Sequence, residues 1–114
     1  MRNDRLYLID IVEAVESINR FLDGMDAKAF HKSELHQSGV LQKLTLVGEA
    51  AARISVELRD QHPEVPWRDI VSFRNIAVHE YFAVDWSIVW TAATKNAPEL
   101  RELILKVLEF EFPE

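Results

Sequence analysis

Apolar residues recur at intervals of three and four along most of this chain, and that spacing is the strongest constraint on its fold. Leu8, Ile11, Val12, Val15, Ile18 and Leu22 fall on one face of a helix over Asp4 to Asp23, with Glu13, Glu16 and Arg20 on the other side. Gly24 supplies a stop. A second stripe, Val40, Leu41, Leu44, Val47, Ala51, Ile54 and Leu58, predicts a helix from Ser33 or Ser38 to Asp60. Gln61-His62-Pro63 ends it, because proline disfavours the helical conformation of the residue before it. No segment alternates convincingly at period two, and 3 glycines with 4 prolines are too few for the tight turns of an all-β protein. The expected class is all-α.

The remaining chain fits that class. Asp26 starts a short turn, Ala27 to Phe30, that leads into His31. Pro66 opens a third helix from Trp67 to about Tyr81, with Trp67, Ile70, Val71, Ala77 and Val78 as its apolar surface. Asp85 caps a fourth beginning at Trp86, whose buried side is Ile88, Val89, Trp90 and Ala93. Pro98 kinks or restarts it, and Leu100, Leu103, Ile104, Val107, Leu108 and Phe110 carry it to the end. The expectation is one domain over residues 1–114, a bundle of four principal helices (up to five or six counting short or kinked ones) with no linker or repeat. Gly48, Ala50, Ala51 and Ala52 form a patch of small side chains, where another backbone can come close. Three tryptophans and six phenylalanines exceed what four short faces hide, so a homodimer interface is expected.

Composition removes several function classes. With no cysteine there is no disulfide framework, thiol nucleophile or thiolate metal site, which fits a reducing cytosol. No apolar run reaches membrane-spanning length, and Met-Arg-Asn-Asp-Arg lacks the apolar core of a signal peptide. A cytoplasmic chain without a membrane partner is expected. The net charge of −6 opposes broad coating of nucleic acid, DNA included, yet allows a local site for one phosphodiester.

Most catalytic signatures are also missing. The glycines are isolated, so no loop cradles phosphates, and neither HExxH nor Glu-x-x-His occurs. His31 and His36 are badly spaced for shared ligation on one helix face, and no metal or other cofactor is expected. Ser72 near His79 lacks an orienting carboxylate, so a hydrolytic triad is not expected. One segment stands apart: Arg74, Asn75, His79 and Tyr81 crowd into eight positions. Histidine moves protons near neutral pH, arginine holds a phosphate and the charge added in its transition state, and asparagine bonds the histidine or a ribose hydroxyl. RNA brings its own nucleophile, the 2′-hydroxyl. The bland alternative is a helix-end ion pair of Arg74 with Glu80 or Asp85 beside a half-buried His79. Arg74 and His79 point about 140° apart on an ideal helix. They converge through long reach, distortion, or a second copy of the helix across a dimer cleft.

Arg74-(x)4-His79-x-Tyr81 resembles the motif of the HepT toxins, a branch of the HEPN domains. Arg2 to Ile11, Gly48-Glu49-Ala50-Ala51, Pro63 to Ile70, and Tyr81-Phe82-Ala83-Val84-Asp85 are similar to that family in order and spacing, so the resemblance covers nearly the whole chain. It implies a homodimeric HEPN bundle acting as a metal-independent endoribonuclease toxin, with RNA as substrate. Arg74 and His79 are then catalytic, Asn75 is the polar member, and Tyr81 accepts AMP from an MntA-like nucleotidyltransferase antitoxin. The chain departs from the family at Gln42-Lys43, where Arg-Asn is frequent, leaving Lys43 as a partial substitute. The competing expectation is a non-catalytic partner that presents nucleotide or substrate to the nucleotidyltransferase.

Overall fold

The computed structural model describes residues 3–75 and 83–114, and they are helical with no strand among them. Helix α1 (Asp4–Phe21) starts at Asn3, whose side chain accepts the Leu6 N–H, and ends in a turn where Gly24 takes a φ of 75°. That left-handed conformation favours glycine. Asp26 caps the short α2 (Ala27–His31), and Ser33 caps α3 (Glu34–Arg53).

The long second helix expected from the apolar stripe is in fact two. Helix α3 stops at Arg53, Ile54 is extended, and α4 (Val56–Gln61) begins anew with Ser55 as its cap. The break has a partner far away in sequence. Asp4 accepts the Ser55 N–H at 2.9 Å and the Ser55 hydroxyl at 2.6 Å, while Ser55 Oγ accepts the Leu58 N–H at 3.2 Å. The chain bends there, and Ile54 and Leu58 still enter the core that the stripe predicts.

Helix α5 (Trp67–Ser72) follows Pro66, and α6 (Trp86–Thr91) is capped by Asp85 through the N–H groups of Ser87 and Ile88. Ala92–Asn96 then winds as a π-helical turn before α7 (Ala97–Glu111). Pro98 accounts for the wider turn: it has no N–H, and its ring would strike the carbonyl four residues back in an ordinary α-helix. The Ala97 N–H reaches back to the Ala92 carbonyl, five residues earlier, and the chain continues without a break.

Two apolar cores hold the described helices together. One joins Leu8, Ile11 and Val15 of α1 to Val47 and Ala51 of α3, Trp67 and Ile70 of α5, and Leu100, Ile104 and Val107 of α7. The other surrounds the fully buried Phe30 with Ile18, Val40, Leu44, Val89 and Ala93. Trp86 meets the Phe30 ring edge-on at 6.1 Å, and Trp90 packs against it at 5.3 Å. Phe73 touches both cores. Two residues expected inside are outside: Ile88 is 64% exposed and Phe110 is 75% exposed. Phe110 lies off the Leu100–Ile104–Val107 face and packs edge-on against His62 instead. No described helix is long and apolar enough to cross a membrane.

Candidate active site

The small-residue patch of α3 does what its composition predicts. Gly48 is where α3 meets α5, and the contact is with the backbone of Ile70 and Arg74. A β-carbon placed on Gly48 would stand 2.7 Å from the Arg74 nitrogen, 3.1 Å from the Arg74 β-carbon and 3.1 Å from the Ile70 carbonyl oxygen. No side chain fits in that space. The absence of one lets α5 settle directly on α3 and sets the height at which Arg74 leaves the bundle.

Arg74 is fixed on its other flanks too. Ile70, one turn earlier, is 3% exposed. Phe73, the preceding residue, is wedged between the two cores and keeps a helical backbone with φ −59° and ψ −31°. The chain is helical again at Arg74 and Asn75. Arg74 is half-buried and Asn75 exposed. Among the described residues, Arg74 has no hydrogen bond or ion pair. Asp85, one of the two acids considered as its partner, is engaged as the α6 cap at 2.9 Å from the Ser87 nitrogen. The arginine is therefore fixed at its root, and among the described residues its guanidinium is left unpartnered, which suits an anion arriving from solution.

His79 and Tyr81 lie outside the described residues, as does Glu80, so the bundle itself supplies geometry for Arg74 and Asn75 alone. Lys43 is half-buried and faces a groove between α1 and α3 that it shares with Asp10, Glu13, Glu49 and Arg53. Ser72 donates its hydroxyl to the Asp69 carbonyl at 2.5 Å. His36 Nδ1 pairs with the Ser33 hydroxyl at 2.5 Å, and His31 Nε2 lies 3.4 Å from the Ser87 hydroxyl. Among the described residues no three His, Asp or Glu side chains gather to hold a metal ion.

One polar cluster has no signal in the sequence pattern. His62 is 7% exposed, with Nε2 at 2.7 Å from Glu111 and Nδ1 at 3.2 Å from Glu64. Its carbonyl accepts the Trp67 indole N–H at 3.0 Å. The Glu111 hydrogen bond raises the His62 pKa above the ordinary 6.5; burial opposes this and Glu64 reinforces it. The cluster ties the end of α7 to the loop that launches α5. His62 and Glu111 are 49 residues apart in sequence, beyond the reach of any local motif.

Comparison with known proteins gives the chain a family. The family model described as "Ribonuclease HepT-like" matches residues 11–107. The chain is 33% identical over 100 residues to "Probable ribonuclease HepT" of Thermococcus cleftensis, covering 88% of this chain and 91% of that one. It is 31% identical over 111 residues to a "Putative RNase" of Caldanaerobacter subterraneus, covering 97% and 99% respectively. A third relative, "Gamma-glutamylcyclotransferase and putative RNase" of Methanocaldococcus jannaschii, is 32% identical over 110 residues, which span 96% of this chain and 50% of that protein. No solved structure matches.

Proposed function

Because the chain belongs to the HepT-like ribonuclease family, we propose that it is an endoribonuclease that cuts RNA without a metal, with Arg74 and His79 as the catalytic pair. The observation that carries this is Arg74 itself: its backbone is seated on Gly48, and its guanidinium has no partner among the described residues. In the proposed reaction His79 takes the proton of a ribose 2′-hydroxyl. The 2′-oxygen attacks the adjacent phosphorus, the bond to the 5′-oxygen breaks, and that oxygen takes a proton from the protonated His79 or from water. Arg74 holds the phosphate and offsets the charge that builds on its oxygens. Asn75 orients the histidine or the ribose. The products are a 2′,3′-cyclic phosphate and a free 5′-hydroxyl.

Two copies would bring their motifs together across a cleft, which answers the angular offset between Arg74 and His79. Large apolar side chains left on the surface, Leu35 at 79% and Ile88 at 64% exposure among them, are consistent with a further protein contact. The protein would act as a toxin. An MntA-like nucleotidyltransferase would silence it by moving AMP onto Tyr81. Purified protein incubated with RNA in EDTA tests the chemistry through its ends. Cyclic phosphates that disappear with His79→Ala support it, whereas 5′-phosphate ends or a requirement for Mg²⁺ contradict it. RNA binding without cleavage by the unmodified protein would favour the substrate-presenting alternative.

A further inference from the structure

Between α4 and α5 runs a groove of about 400 Å³ lined by Val56, Arg59, Asp60, Trp67, Arg68 and Val71. Its two arginines have no carboxylate partner among the described residues. Carboxylates outnumber Lys and Arg by 19 to 13, and other arginines find them: Arg5 pairs with Glu114, Arg53 with Glu49, Arg101 with Glu16. Neither Arg59 nor Arg68 has an ion pair or hydrogen bond among the described residues. The Arg59 Nε is moreover a buried side-chain nitrogen with no acceptor. Burying an N–H of a charged group without a partner is costly, which marks Arg59 as a side chain whose surroundings in the bundle do not complete its hydrogen bonding.

The wall of the groove is apolar and fixed. Trp67 is 8% exposed and anchored by its indole N–H to the His62 carbonyl, so it offers only a rigid edge. Val56 is 58% exposed at the opposite lip. The groove lies close to the candidate active site in the chain: its lining residue Val71 precedes Arg74 by three residues. The groove between α1 and α3 is similar in size, near 430 Å³, but Asp10, Glu13 and Glu49 line it against Lys43 and Arg53. Phosphate is repelled there and attracted between α4 and α5, where Asp60 is the lone carboxylate among the described lining residues.

We propose that the α4–α5 groove is a flanking subsite for single-stranded RNA, in which Arg59 and Arg68 hold a backbone phosphate beside the scissile one. Val56, Trp67 and Val71 form the apolar wall for the attached nucleotide. This rests on the ribonuclease assignment above and deepens it: the site then grips an RNA strand over more than the bond it cuts.

The test is binding, which needs no cleavage. A fluorescent ten-nucleotide single-stranded RNA with every 2′-hydroxyl methylated cannot be cut through its own 2′-oxygen, and its affinity is read by anisotropy over a range of salt. Arg59→Gln/Arg68→Gln should raise Kd about tenfold at low salt and flatten the log–log salt slope by about 0.7 for each phosphate no longer held. Lysines at both positions should restore most of the slope. Arg68 is exposed, so Arg68→Gln alone gives a folded variant with a smaller loss in the same direction. An unchanged Kd and slope in both glutamine variants would overturn the subsite. So would a wild type that binds an oligo-aspartate peptide of equal charge as well as the RNA, because the groove would then serve protein carboxylates. A protein that binds through these arginines yet never cleaves would remove the ribonuclease assignment and leave the groove standing.

Discussion

Gly48 touches the backbone of Arg74 with no room for a side chain between them: a β-carbon on Gly48 would lie 2.7 Å from the Arg74 nitrogen. A packing residue on α3 thereby sets the position of the arginine on which the proposed chemistry depends.

Gly48→Ala should therefore slow RNA cleavage more than it harms the fold. The added methyl must push α5 outward, and misplacing a catalytic group by about 1 Å can cost on the order of 10²-fold in rate. Overpacking costs about 1–3 kcal/mol, partly offset by the roughly 1 kcal/mol gained when glycine leaves a helix interior. Gly39→Ala on the same helix is the control, because its new methyl would meet only the Phe21 ring, at 3.3 Å, and that ring is 38% exposed and able to yield. Cleavage rates and melting midpoints of both variants check the claim. On an Arg74→Ala background Gly48→Ala should cost little more, since both act through one guanidinium. Equal loss in the two glycine variants would mean that Gly48 does not position Arg74.

His62 makes stability depend on pH. Its folded pKa is raised, so its share of stability is complete below about 6.5 and is lost as pH rises through the raised value. Glu64 works in the opposite sense. A hydrogen bond from its own backbone, reinforced by His62, lowers its pKa, so its share is present above about 4.5 and lost as pH falls. The clamp on the end of α7 is strongest between those two values. The gap in melting temperature between wild type and His62→Gln should shrink steadily from pH 6 to pH 9. A gap that stays constant over that range would show that folding leaves the His62 pKa unshifted, and a gap that widens would show that burial keeps His62 neutral in the folded protein.

Ser55 begins α4 and is held by Asp4, so Ser55→Ala removes a cap and strands a carboxylate. Loss of an N-cap costs about 0.5–2 kcal/mol. Asp4→Asn keeps a hydrogen-bond acceptor and should cost less. Urea denaturation of the two variants distinguishes a cap held from a distance from a purely local one, which would leave Asp4→Asn at wild-type stability.

Tyr81 is expected to be a control point and not part of the chemistry. Tyr81→Phe should cleave RNA as the wild type does, because no proposed step uses the phenol. With ATP, Mg²⁺ and an MntA-like nucleotidyltransferase, the wild type should gain the mass of one or more adenylyl groups and fall silent, while Tyr81→Phe should do neither. A mass gain and silencing in Tyr81→Phe would place the acceptor elsewhere.

Much of this fold is legible in the chain because helical periodicity is a local property. The stripes of α1 and α3 are buried as their spacing requires, Asp85 and Asp26 cap the helices that follow them, and the Gly48 patch marks a close crossing. What is not legible depends on residues far apart. Apolar spacing runs unbroken from Ile54 to Leu58, and only Asp4, 51 residues upstream of Ser55, reveals why the chain turns between them. The His62 clamp needs Glu111, and the neighbour that Gly48 admits is set by tertiary packing, which brings Arg74 against it. Arg74 and Asn75 stand out in sequence through their crowded segment. Arg59 and Arg68 do not, because an unpaired arginine is recognised only once its neighbours are known.

Whether Arg74 carries the chemistry is decided by the single-turnover rate of RNA cleavage in EDTA for Arg74→Ala beside the wild type, at matched protein concentration and with the fold checked by circular dichroism. The expected result is a folded variant whose rate falls by about 10²–10³-fold, the cost of removing one preorganised charge donor at a developing anion. A folded Arg74→Ala that cuts RNA as fast as the wild type would contradict a catalytic role for this arginine.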